Sequence, residues 1–181
     1  MNTLDFIQIL LFLVVLTLLT PVLGNYMSRV FTGQRHLMLP VFRWLEKIIY
    51  RFIKVNPHEE SSWKSYTFGL LLFNLAGFVF LFLIQLFQSV LPMNPAGLPN
   101  ISWHSAFNTA VSFSTNTNWQ GYAGETTLSF FVQMIGLTVQ NFVSAATGIA
   151  VLLALIRGLS RKSVSELGNF WVDLTRSTLC V

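Results

Sequence analysis

Three long apolar stretches dominate the pattern of the chain. The first runs from about Leu4 to Leu23, and its central part, Ile9–Leu19, is almost wholly apolar. The second runs from about Tyr66 to Leu91, with Asn74, Gln85 and Gln88 as its strongly polar exceptions. The third runs from about Thr127 to Ile156. Twenty helical residues rise about 30 Å, the thickness of a bilayer's hydrocarbon core, so each stretch is long enough to span. The third exceeds the need and must tilt or project. The first is read as a retained span and not a signal peptide, because Met1-Asn2-Thr3-Leu4-Asp5 carries no positive charge and no clear small-x-small cleavage site follows.

Two further helices are predicted between the spans. Over 40–55, Val41, Leu45, Ile48, Phe52 and Val55 recur at helical spacing, with Phe42, Ile49 and Ile53 beside them. Arg43, Glu46, Lys47, Arg51 and Lys54 take the other side, giving a basic amphipathic helix. Such a helix lies in the headgroup layer or offers a docking surface to a cytoplasmic partner. The second follows the loop punctuated by Pro92, Pro95, Gly97 and Pro99. It covers 102–113, with Ser102 as the N-cap candidate and Trp103, Phe107, Ala110 and Val111 as an apolar stripe. Its twelve residues rise about 18 Å, half a bilayer, which is the size of a re-entrant pore helix.

Composition supports a membrane protein. Hydrophobic residues make up 53% of the 181 residues and charged residues 10%, against the roughly 25% usual for soluble domains. The net charge of +4 does not indicate nucleic acid, because the basic residues are segregated. Seven lie between spans one and two: Arg29, Arg35, Arg43, Lys47, Arg51, Lys54 and Lys64. Arg157, Arg161, Lys162 and Arg176 follow span three, and the 92–126 segment has none. The positive-inside rule then places 24–65 and the 157–181 tail in the cytoplasm, with the N-terminus and 92–126 outside. Three spans satisfy this without conflict.

The polar run after the short helix carries the chemistry. Ser114-Thr-Asn-Thr-Asn-Trp-Gln-Gly-Tyr122 is uncharged and made of residues that prefer local backbone bonds to helix. It then meets Gly124-Glu-Thr-Thr127, where Glu125 suits a helix N-terminus. A run of this composition is either an ordinary loop or an ion filter. A ring of backbone carbonyls replaces a cation's hydration shell without adding net charge. Extended backbone is tolerated at membrane depth only where it is buried in protein or lines a cavity. Carbonyls that all turn inward need unusual backbone angles, which asparagine tolerates next best after glycine, and Asn116 and Asn118 meet that need. Gln120 would set the mouth. In the third span Gln133, Gln140, Asn141, Ser144 and Thr147 add polarity, and Gly136, Gln140, Ser144 and Gly148 fall on one stripe. These residues either pack helices together or face a water-filled path.

Other chemistry has no footing in the sequence. There is no Gly-x-x-x-x-Gly-Lys-Ser/Thr loop and no Gly-x-Ser-x-Gly elbow. His36, His58 and His104 are scattered, and Cys180 is the single cysteine, so neither a metal cluster nor an internal disulfide is predicted.

Thr115-Asn-Thr-Asn-Trp-Gln120, Gly124-Glu-Thr-Thr-Leu-Ser129 and Gly136-Leu-Thr-Val-Gln-Asn-Phe-Val-Ser-Ala-Ala146 closely resemble the A subunit of Kdp-type potassium-transporting P-type ATPases, the KdpA family. Leu91-Pro-Met-Asn-Pro95 and Leu167-Gly-Asn-Phe-Trp-Val-Asp-Leu174 extend the resemblance over nearly the whole chain. It implies an all-α membrane fold of the potassium-channel type: a leading span, then span, re-entrant pore helix, filter strand and span. Thr115, Asn116, Thr117, Asn118, Trp119 and Gln120 would form the filter strand and bind the potassium ion. The implied partners are an ATP-hydrolysing B subunit, accessory subunits, the remaining pore units of the A subunit and membrane lipid, in a bacterial plasma membrane. No catalytic residue is implied in this chain. Family members are longer, so the resemblance reaches their N-terminal part, and a fragment, one piece of a split subunit and a decayed gene product all fit. A homotetrameric passive channel and a structural membrane protein without an ion path are the competing functions.

Overall fold

The computed structural model describes residues 3–161 and 166–181. Met1, Asn2 and Lys162, used above for the leading span and the second basic block, lie outside the described residues.

Helix α1 covers Thr3–Phe31, eight residues beyond the end of the expected span. Gly24 and Asn25 weaken the helix after Leu23 without ending it, and Arg29 sits favourably in the last turn. The stop is made by Gly33 at φ +72°, with Gly33 N–H donating to Val30 (3.2 Å) and Gln34 N–H to Arg29 (2.9 Å). This 5→2 and 6→1 pair is a Schellman termination, and it needs a residue comfortable in the left-handed region. The helix is apolar all round and largely exposed, as suits a helix solvated by lipid. It touches the rest of the chain near its end, where Val30 is buried and the Tyr26 hydroxyl donates to the Cys180 carbonyl. Helix α2 covers Leu39–Ile53 and ends at left-handed Lys54.

A short strand, β1 (Ser61–Ser62), leads into helix α3, Trp63–Leu86. Ser62 caps α3 by accepting from the Ser65 N–H. The expected extension to Leu91 does not occur. A 3-10 turn follows at Gln88–Val90, and Leu91 is extended (ψ 152°) because it precedes Pro92. Helix α4 covers Trp103–Ser114. After a four-residue turn, α5 (Gly124–Thr127), the chain breaks at Leu128 and Ser129. The third long helix therefore starts later than Thr127. It opens with a π-helical stretch, Val132–Thr138, and continues as α6, Val139–Ser160. The Thr138 hydroxyl donates to the Gln133 carbonyl (2.9 Å) within that stretch. Strand β2 (Glu166–Gly168) pairs antiparallel with β1, and helix α7 (Phe170–Cys180) closes the chain. α1, α3 and Val132–Ser160 are each long and apolar enough to cross a membrane.

Two cores hold these elements. One lies between α3, α4 and the π-helical stretch and includes Leu81, Ile84, Ala106, Ala110, Phe113 and Val132. The stripe Trp103, Phe107 and Val111 turns outward instead, because Ala106 and Ala110 allow α4 to approach α3 more closely than bulky residues would. Phe107 keeps edge-on contact with Phe78 and Phe82. Gly136 lies at the crossing with α3, where a Cβ would come 2.5 Å from Ile84 Cδ1 and force that side chain to shift. The second core joins α3, α6 and α7 through Tyr66, Ala146, Ala150, Phe170 and Leu174.

Beside the second core lies a buried polar lock. Arg157 meets Asp173 in a bidentate pair, Nη1–Oδ2 at 2.5 Å and Nη2–Oδ1 at 2.9 Å. The Tyr66 hydroxyl lies 2.7 Å from the Ala150 carbonyl and 3.0 Å from Asp173 Oδ2. Gly168, at φ +98°, leaves room for the Arg157 guanidinium, which any Cβ would overlap. At the same end Arg161 pairs with Glu60, and its guanidinium holds that carboxyl below the usual carboxylate range.

Candidate functional site

The run 115–120 hangs from the C-terminal end of α4, and one residue gathers it. The Ser112 carbonyl accepts from the Thr117 N–H (2.8 Å) and the Asn118 N–H (3.2 Å). The Ser112 hydroxyl accepts from the Trp119 N–H (2.6 Å). Three successive N–H groups thus converge on one buried residue. Asn116 (φ 60°) and Asn118 (φ 57°) are left-handed, which is how a short stretch turns consecutive N–H groups to one side. The carbonyls of a trans peptide point opposite to its N–H. Among the described residues the carbonyls of Thr115–Gln120 accept no hydrogen bond, and Thr115–Trp119 are exposed.

The flanks are fixed by side-chain amides. Gln88 Nε2 donates to the carbonyls of Pro99 and Thr127, while its Oε1 accepts from the Ser129 N–H (3.1 Å). Gln85 accepts from the Tyr122 hydroxyl (2.9 Å) and donates to the Leu81 carbonyl (2.9 Å). Tyr122 also meets the Thr109 hydroxyl at 3.1 Å, so α3, α4 and the segment after the run are tied together. On the α6 side the buried Ser144 hydroxyl donates to Asn116 Oδ1 (3.2 Å). Gln133 Nε2 donates to the carbonyls of Leu128 (2.8 Å) and Gly124 (3.3 Å). Gln120 Oε1 is buried without a hydrogen-bond partner among the described residues, close to Gly124.

All six sequence-predicted residues, Thr115 to Gln120, therefore fall on one turn. Sequence reasoning missed Ser112 and the Gln85–Tyr122–Thr109 set. The signal for the latter was present in the two glutamines that interrupt the second apolar stretch. Of the third span's polar residues, Ser144 and Gln133 reach the turn or its flank. Gln140 packs against Gly77, where a Cβ would lie 2.6 Å from its Oε1.

Replacing Ser112 with alanine removes the acceptor for Trp119 and leaves its N–H unpaired. The local cost is about 1–3 kcal/mol, which is roughly a 5- to 150-fold faster amide exchange at Trp119. Exchange at Trp119 as slow as in the parent would show that the hydroxyl does not hold the turn.

Three long apolar helices, with a short helix and a turn of left-handed asparagines between the second and third, define a helical membrane protein. The family model for KdpA, the potassium-transporting ATPase A subunit, matches residues 10–181, and the chain belongs to that family. It is 56% identical to a potassium-transporting ATPase potassium-binding subunit of Pseudomonas fluorescens (strain Pf0-1) over 179 residues, 99% of this chain and 32% of the relative. The same-named subunit of Brucella anthropi is 56% identical over 175 residues, covering 97% of this chain and 31% of the relative. That of Geobacter sulfurreducens is 53% identical over 182 residues, covering all of this chain and 31% of the relative. The chain spans about a third of the length of the curated relatives it matches.

Proposed function

We propose that this chain is part of the potassium-binding, potassium-translocating subunit of an ATP-driven uptake system, and that Thr115–Gln120 is one strand of its filter. The observation that carries this reading is the convergence of the Thr117, Asn118 and Trp119 N–H groups on Ser112, with left-handed Asn116 and Asn118. It leaves a row of uncommitted carbonyls on an open side, which is what a dehydrated monovalent cation requires. The C-terminal end of α4 adds the negative end of a helix dipole beside them. In this reading α4 is a re-entrant pore helix, entering from the outer face between two spans. The basic ends of the long helices face the cytoplasm.

One strand does not surround an ion. The remaining filter strands come from further pore units of the same subunit, and ATP hydrolysis from a B-type partner with accessory subunits in a bacterial plasma membrane. The test is reconstitution in liposomes of this chain alone and of the complex that co-purifies with it. The expected result is potassium-stimulated ATP hydrolysis by the complex and no ATP-independent potassium flux through the chain alone. Selective flux from a homotetramer without ATP would replace the proposal with a passive channel. An absence of potassium binding in both preparations would overturn it altogether.

A further inference from the structure

Helix α2 packs against α7 through an unusual face. Glu46 and Tyr50 are its buried residues, and the Cys180 thiol donates to Glu46 Oε1 at 3.7 Å. Phe42, Leu45, Ile49 and Ile53 are half-buried on or beside that face, but four other large apolar side chains point away from it. Val41 is 54% exposed, Trp44 62%, Ile48 55% and Phe52 86%. At 3.6 residues per turn these four share one arc about 80° wide. Arg43, Lys47 and Arg51, all exposed, fall in an adjoining arc of about the same width, and exposed Lys54 follows at the helix end. Glu46, the one acidic residue of α2, is turned inward, so the outward surface of the helix is wholly basic or apolar.

We infer that α2 is an interfacial helix that lies on the anionic inner leaflet, burying the Val41–Trp44–Ile48–Phe52 stripe among the acyl chains and placing its basic arc at lipid phosphates. Three observations select lipid over a protein groove as the occupant. The apolar arc is flanked by uncompensated cations, the charge complement of an anionic bilayer surface. The helix is tethered at both ends to long apolar helices, α1 and α3, which hold it near a bilayer. Trp63, 57% exposed, with Lys64 Nζ 5.7 Å from its ring centroid, marks the start of α3 with the residue pair typical of a membrane–water boundary. Burying a stripe of this kind gives the chain a lipid-dependent anchor separate from its spans.

The test is site-directed spin labelling of the full chain in nanodiscs, in a Cys180→Ser background with single cysteines at Val41, Ile48 and Phe52, and at Lys47 and Arg51 for comparison. In discs containing phosphatidylglycerol, labels at 41, 48 and 52 are expected to be several-fold more accessible to oxygen than to a water-soluble nickel chelate. Labels at 47 and 51 should show the reverse. Labels at 41, 48 and 52 open to the nickel chelate would overturn the inference, because the stripe would then face water. Labels immobilised and closed to both reagents, in the chain alone or in its complex, would assign the face to protein instead. Burial at Phe52 should weaken in pure phosphatidylcholine discs and in the Arg43→Gln/Lys47→Gln/Arg51→Gln variant. Equal burial in both disc types would overturn the requirement for anionic lipid.

Discussion

Asp173→Ala is expected to destabilise the fold by about 3–5 kcal/mol, because it strands a buried cation. The Asp173 side chain is 3% exposed and that of Arg157 16%. Both Arg157 bonds to the carboxylate are lost together, and the guanidinium keeps the Leu167 carbonyl at 3.0 Å as its remaining partner. Tyr66 keeps the Ala150 carbonyl, so the damage falls chiefly on Arg157. Since the pair joins α6 to α7 and Tyr66 brings in α3, three helices loosen at one end. The measurement is the unfolding midpoint in detergent, set beside the double variant Arg157→Leu/Asp173→Leu. Removing both charges leaves no unpaired ion and is expected to recover most of the loss. If the double variant is as unstable as the single one, the lock acts through its shape and not through its charge balance.

Much of this architecture was legible in the sequence, and the reasons are local ones. Runs of eighteen or more apolar residues have few alternatives to a spanning helix. Asn116 and Asn118 announced left-handed backbone because asparagine is among the few residues that adopt it cheaply. What the sequence hid depends on tertiary closure. Ser112 lies within the helix that precedes the turn, and nothing in its neighbours shows that three N–H groups return to it. The Arg157–Asp173 pair requires the chain to fold back through β2 before α7 begins. The direction of the Trp103–Phe107–Val111 stripe was also hidden, because periodicity finds a stripe but not the neighbour it meets. Pro92 did carry a boundary signal: the residue before it was bound to leave the helical region, and Gln88 turned its amide to the neighbouring loops instead of continuing α3.

Gln120→Arg is expected to weaken apparent potassium affinity by roughly 100-fold if 115–120 is a filter strand. A guanidinium about 6 Å from a bound cation at an effective dielectric near 20 opposes binding by about 3 kcal/mol. A tenfold change corresponds to about 1.4 kcal/mol, which sets the size of the effect. The position suits the test because the fold asks little of the side chain. Gln120 Oε1 has no hydrogen-bond partner among the described residues, and the turn itself is held from Ser112. Gln120→Met, close in volume and uncharged, is therefore expected to change the affinity less than tenfold and to leave the unfolding midpoint near the parent's. The measurement is the potassium concentration for half-maximal uptake in the assembled system, with rubidium as the competing ion to read selectivity. An arginine variant with the parent's potassium dependence would mean that the mouth of the ion path lies elsewhere. Equal losses in the arginine and methionine variants would point to a packing role for Gln120 beside Gly124, and not to an electrostatic one at the entrance.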